Sequence, residues 1–215
     1  MAGSSLFLNL GRGAKVLVLL LFFLPWVAVS CSPDALERIQ SESRGAGTQV
    51  RPSISPPSVV IATASGLDMA IGSLKLTNPA AGLEPASGVR STGGVAPGIA
   101  PELGVIVGVF LLILALVATF VLKGTAGAAV GAGGSLLAAL AFCYSVFIHY
   151  PPAAIAAFAA TRREGNANAD QVAQILSVKP EAGFYIVLLL LILAVVLNIL
   201  AMRKPAAPPA ATPAA

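Results

Sequence analysis

The chain has 215 residues, 57% hydrophobic and 10% charged, with a formal net charge of +4 and a mean hydropathy of +0.88. A water-soluble domain carries about 25% charged residues because its surface must face water, so this composition points to lipid as the solvent for most of the surface. The basic residues are scattered rather than clustered, which argues against a nucleic-acid partner and leaves the charge to membrane topology.

Four apolar runs organise the chain. The first, residues 16–30, follows Arg12 and Lys15. It predicts a transmembrane helix over 16–31 behind a cytoplasmic N-terminus of residues 1–15. Its length of about 15 residues also suits a signal-peptide core, and Ala28-Val29-Ser30-Cys31 reads as a lipoprotein cleavage site with lipid on Cys31. An uncleaved span is favoured for three reasons. Pro25-Trp26 interrupts the run, Trp is a common interfacial anchor, and Leu6, Phe7, Leu8 and Leu10 prolong the apolar stretch upstream.

Residues 32–101 form an extracytoplasmic loop rich in Ser, Pro and Gly, as at 53–58 and 86–98. Such stretches bury too little apolar surface to offset ordering entropy, so disordered segments are expected there. Two islands look ordered. Ser32-Pro33-Asp34 opens a helical pattern to Gln40. Val59-Val60-Ile61-Ala62-Thr63 reads as a strand, followed by Ser65-Gly66-Leu67-Asp68, a capping-box start with Asp in place of Glu, and one turn ending near Gly72. If residues 26–31 extend past the membrane, they can pair with that strand in a small hairpin-like platform.

The second span, residues 102–123, and the third, 126–150, meet the roughly 20 residues needed to cross about 30 Å of hydrocarbon. The third reaches Pro151-Pro152, and its end is left open between Tyr150 and Thr161 because the Ala-rich sequence that follows can prolong the helix. An outer loop, 151–181, offers a helical face of Val172, Ile175 and Leu176. The fourth span covers 182–202, and a disordered Pro/Ala tail covers 203–215. The expected fold is an all-α membrane protein, a four-transmembrane-helix bundle carrying a small extracytoplasmic strand/helix platform.

If the spans alternate, Arg12, Lys15, Lys123, Arg203 and Lys204 share one side and all nine acids share the other. Lys and Arg favour the cytoplasmic side, so both termini are expected inside. Arg162 and Arg163 are exported by this scheme, beside Glu164, Asp170 and Glu181.

The third span opens with Gly127, Gly131, Gly134, Ser135 and Ala138, small residues at spacings of three and four. Gly104 and Gly108 repeat the pattern in the second. Missing side chains let helices approach closely, within the bundle or between copies of the chain. Asn198 is the strongly polar residue deep in the fourth span, suited to a hydrogen bond between helices. No charged residue or histidine is read inside any span, which disfavours coupled transport. His149 is a lone interfacial histidine and Cys143 a helix thiol, and both are expected to satisfy local neighbours. No GxxxxGK[ST], HExxH, CxxC or GxSxG occurs. No catalytic, metal or cofactor residues are therefore assigned.

The phrases Leu24-Pro25-Trp26-Val27-Ala28-Val29-Ser30-Cys31 and Ala64-Ser65-Gly66-Leu67-Asp68-Met69-Ala70-Ile71-Gly72 resemble those of uncharacterised bacterial four-span inner-membrane proteins. In these a PWVxVxC-like phrase ends the first span and an SGLxxAxG-like phrase lies outside. The resemblance implies a multi-pass protein of the bacterial inner membrane and structural roles for Pro25, Trp26, Cys31, Gly66 and Gly72. It also favours Cys31 in an outer strand. The functional expectation is a non-catalytic envelope component with a membrane-protein partner or a homo-oligomer. The alternatives are a passive channel or transporter accessory, and a lipoprotein processed at Cys31.

Overall fold

A computed structural model of the chain describes residues 2–31, 59–76, 99–122, 124–161 and 176–203; the side chains of residues 2–5, 31, 59, 76 and 159–161 lie outside that description. So do the helix expected over 32–40, the stretches at 53–58 and 86–98, Arg162, Arg163 and the Pro/Ala tail.

The first helix, α1, is Ala2–Leu21. Leu24 N–H donates to Leu21 C=O at 3.0 Å in the turn to strand β1, Pro25–Cys31. The expected span over 16–31 is thus helical only to Leu21. Pro25 has no N–H for the Leu21 carbonyl, its ring crowds that carbonyl, and it disfavours helical backbone at Leu24. Val27 and Val29 then suit a strand. The helix lies further upstream because Gly11, Ala14, Lys15, Val18 and Phe22, all buried, recur at helical spacing.

β1 is an inner strand of a sheet. It pairs antiparallel with β2, Val59–Ser65, in the register Ala28↔Thr63 and Val29↔Ala62. On its other edge it pairs antiparallel with β4, Leu176–Pro180, with Val29↔Val178. A two-residue strand β3, Lys75–Leu76, completes the order β3-β2-β1-β4. The strand expected at 59–63 and its pairing with residues 26–31 are present. Leu176, expected on a helical face, begins a strand instead. The open edge of β1 supplies hydrogen-bond partners that a surface helix would forgo, and Pro180 ends the strand.

Between β2 and β3 lies α2, Gly66–Ile71. The helices α3, Leu103–Val121, and α4, Thr125–Tyr144, form a hairpin, with Gly124 at φ 68° in the turn. A π-helical segment, Ser145–His149, continues α4 into α5, Tyr150–Thr161. The helix therefore does not stop at Pro151-Pro152. Two prolines remove two successive N–H donors, and the wider turn absorbs the break, with Tyr150 N–H reaching back to Ser145 C=O. The last helix, α6, is Ala182–Met202.

The fold is mostly helical. Three helical stretches, Leu103–Val121, Thr125–Phe158 and Ala182–Met202, are long and apolar enough to cross a membrane. α1 packs along α6 and touches α3, α3 packs on α4, and α4 packs on α6. The sheet caps one end of this bundle. Trp26, fully buried, is the joint. Its ring meets Phe22 at 5.1 Å and 87°, Phe142 at 5.0 Å and 73°, and Phe184 at 5.9 Å and 65°, so one side chain ties α1, α4 and α6 to the sheet. Edge-to-face pairs add to the burial of large rings. Trp26 is therefore a core residue rather than an interfacial anchor, because the chain turns back under its own sheet at Pro25.

Candidate functional site

Two polar clusters sit at opposite ends of the bundle. At the sheet end, Ser65 caps α2: its hydroxyl accepts from Asp68 N–H at 3.1 Å and donates to Asp68 Oδ2 at 2.7 Å. Ser65 N–H also donates to Asp68 Oδ2, at 2.9 Å. This is a reciprocal capping box built with Asp. Ser73 Oγ donates to Asp68 Oδ1 at 3.3 Å, and Lys75 Nζ lies 3.4 Å from Oδ2. Burial raises the Asp68 carboxyl, but the Ser65 hydrogen bonds and the Lys75 charge outweigh it and hold the group below its ordinary 3.8.

The second carboxylate at this end is Glu102, the residue before α3. It is 2% exposed. Its N–H donates to Met69 C=O at 3.0 Å, which ties α3 to α2. Its Oε1 lies 2.8 Å from His149 Nδ1, and the His149 side chain is 58% exposed. Tyr144 stacks beside His149. Tyr150 is fully buried in the same layer, and its hydroxyl has no hydrogen-bond partner among the described residues. His149 is thus not alone: its acidic partner stands 47 positions earlier in the chain. Glu102 is buried beneath the platform.

At the far end, Lys15 of α1 is 0% exposed and its Nζ has no hydrogen-bond partner among the described residues. Asn198 of α6 is also 0% exposed; its Nδ2 donates to Ala194 C=O at 2.6 Å while its Oδ1 is unpartnered there. Both atoms converge on Gly131, where a Cβ would lie 2.8 Å from Lys15 Nζ and 3.0 Å from Asn198 Oδ1. Arg12, one turn before Lys15, donates through Nη2 to Thr119 C=O and through Nη1 to Asn9 Oδ1 at 3.1 Å. Its guanidinium sits 4.3 Å over the Phe120 ring. Lys15, expected on the flank of the first apolar run, lies inside the bundle. The signal that points to it is the buried period of α1, which puts Lys15 on the face of Gly11, Ala14 and Val18.

The remaining singled-out residues divide by cause. Gly104 faces Ser145 and Gly108 faces the Phe142 ring, so both serve the α3–α4 contact; Gly134 faces Ala115 of α3. Ala138 is fully buried. Gly127 instead crowds the Leu122 carbonyl and closes the α3–α4 turn. Gly72, at φ 72°, is the left-handed cap of α2. Gly66 has no such backbone demand. A Cβ there would lie 2.6 Å from the Phe22 ring and 2.9 Å from Trp26, so crowding by two rings is the reason for glycine. Pro25 opens β1, and its carbonyl packs against Gly183. Cys31 ends β1, its backbone paired with both Val59 and Leu176. Cys143 is a free, half-buried thiol of α4.

Searches against protein-family models, curated proteins and solved structures find no match for this chain.

Proposed function

We propose that this chain is a non-catalytic protein of the bacterial inner membrane with four spans and both termini in the cytoplasm, whose platform holds another envelope component. One observation carries it: the sheet is not a tethered loop but a rigid cap. The first helix runs directly into an inner strand of that sheet, and Trp26 locks the two together. A rigid surface presented at a fixed height above a bilayer suits a docking role better than a chemical one.

The fourth span is α1. Its outward side chains include Leu10, Val16, Leu17 and Leu20, between 43% and 63% exposed. These continue the apolar belt made by Phe110 and Val117 of α3, Leu137 and Leu140 of α4, and Leu189 and Ile192 of α6. Arg12 and Lys15 stand midway along α1, but beside Thr119 and Asn198 near the ends of α3 and α6 away from the sheet, where Lys and Arg belong in the cytoplasmic leaflet. The described acids, Asp68, Glu102 and Glu181, stand at the sheet end.

Processing at Cys31 fits the fold poorly. Cleavage before that residue would remove α1 and the strand between β2 and β4, Trp26 included. Intact-mass measurement of the membrane-extracted protein should return the full-length chain; loss of the first 30 residues with added acyl mass would restore the lipoprotein alternative.

Docking is tested by photocrosslinking in native membranes. A crosslinking amino acid at Val60, 36% exposed on β2, is expected to capture a specific partner or a second copy. The same probe at Leu189, facing the lipid belt, serves as the comparison. Absence of any discrete adduct at Val60, or the same pattern at both positions, removes the docking role.

A further inference from the structure

The described acids all lie at the sheet end, yet two bases sit on successive turns of α1 at the opposite end. Lys15 is wholly buried with an unpartnered Nζ, and Asn198 Oδ1 is unpartnered beside it, among the described residues. Both pack, with the Thr119 methyl, closely against Gly131, where a side chain would displace them. An ammonium carries three N–H groups. One can turn to Asn198 Oδ1; two remain, together with a full positive charge. A bridging water would satisfy the hydrogen bonds but not the charge, and an unbalanced charge in a protein interior is costly unless an anion shares the site.

Arg12 marks the way in. It is only partly buried, its Nε has no partner among the described residues, and it lies over Phe120, whose side chain is 61% exposed. The guanidinium thus stands between α1 and α3 beside an exposed ring near the end of α3, and the four-carbon stem of Lys15 lets its ammonium swing toward it.

We propose that Arg12 and Lys15 bind the phosphate of an anionic phospholipid that enters from the bilayer between α1 and α3. Two oxygens of one phosphate meet the unpartnered N–H groups of Lys15 and the Nε–H of Arg12, charge-assisted hydrogen bonds of the kind that hold phosphate. The site rests on the four-span arrangement, which places the ends of α3 and α6 that hold Thr119 and Asn198 at the headgroup level of the cytoplasmic leaflet.

The test uses the purified full-length chain in neutral detergent, titrated separately with phosphatidylglycerol, phosphatidylcholine and inorganic phosphate, and read by native mass spectrometry and thermal unfolding. Phosphatidylglycerol is expected to bind and raise the Tm, phosphatidylcholine to do neither. Lys15→Met and Arg12→Gln should each weaken phosphatidylglycerol about fivefold. Lys15→Arg should retain binding, and Lys179→Gln at the sheet end should change nothing. If inorganic phosphate raises the Tm as well and Lys15→Met abolishes that effect, the phosphate site stands and its ligand is a soluble anion. Equal retention of phosphatidylglycerol by wild type and both neutral variants overturns the site. Should Lys15→Met fail to fold, Arg12→Gln and Lys15→Arg decide the matter in its place. Labelling of Ser4→Cys from outside the cell would break the topology while leaving the detergent titration to decide the phosphate site by itself.

Discussion

The two ends of the bundle handle buried charge in opposite ways. At the sheet end Asp68 and Glu102 are almost fully covered, and each has found donors: Ser65, Ser73 and Lys75 for the first, His149 for the second. At the other end Lys15 is as deeply covered, and its ammonium has no acceptor among the described residues. A satisfied polar group fixes structure, whereas an orphaned one stores a cost that a ligand can relieve. Substitutions should therefore weaken the sheet end and spare, or even strengthen, the other.

The largest effect is expected at the joint. Trp26→Ala removes the ring that meets Phe22, Phe142 and Phe184, and large-to-small changes of this kind cost about 3–5 kcal/mol. Unfolding in detergent should show that loss. A loss below about 1 kcal/mol would mean that platform and bundle are held together elsewhere. Lys15→Met, in contrast, exchanges an orphaned ammonium for an apolar side chain of similar length. In lipid-free detergent it should be neutral or stabilising by up to about 2 kcal/mol. Marked destabilisation there would show that Lys15 is already paired, and the contrast between the two ends would disappear.

Asp68→Asn is next in size. Ser65 N–H, the Ser65 hydroxyl and the Ser73 hydroxyl all donate to the carboxylate, so an amide NH2 must face at least one donor. The expected cost is about 1–2 kcal/mol. The pH dependence has a definite sign. The folded carboxyl lies below its ordinary 3.8, so the stabilisation is complete above that value and disappears as pH falls through the lower folded value. An unfolding series across this acid range should show the loss in wild type and a flatter profile in Asp68→Asn.

Much of the platform is legible in the sequence because its signals are local. Ser65-Gly66-Leu67-Asp68 and Gly72 state their own cap geometry, and Val59 to Thr63 states a strand. The apolar runs of α3, α4 and α6 are equally plain, since hydropathy needs no knowledge of neighbours. The rest is set by distant contacts or by competing local signals. Glu102 and His149 meet across 47 positions, with nothing in either neighbourhood to announce the other. The start of α1 is hidden because Arg12 and Lys15 look like the flank of a span, although Lys15 shares a buried face with Ala14 and Val18. Pro151-Pro152 resembles a stop, and only the π-helical turn before it lets the helix continue. Gly66 invites a backbone explanation, but the neighbours that demand glycine are the rings of Phe22, just past α1, and Trp26 of β1.

The smallest effect discriminates best between a structural and a merely superficial pair. Glu102 and His149 form one contact of 2.8 Å, but their exposures are 2% and 58%. The two partners are therefore not equivalent under deletion. His149→Ala leaves a buried carboxylate oxygen without its donor, and should cost about 1 kcal/mol or somewhat more. Glu102→Gln keeps a neutral acceptor under the platform and leaves the imidazole in contact with water, so its cost should be close to zero, as for surface pairs. Equal costs for the two would mean that water already reaches Glu102. In that case the sheet end would be as incompletely satisfied as the end that holds Lys15, and the distinction between a fixed cap and a ligand-seeking base would reduce to one of charge sign alone.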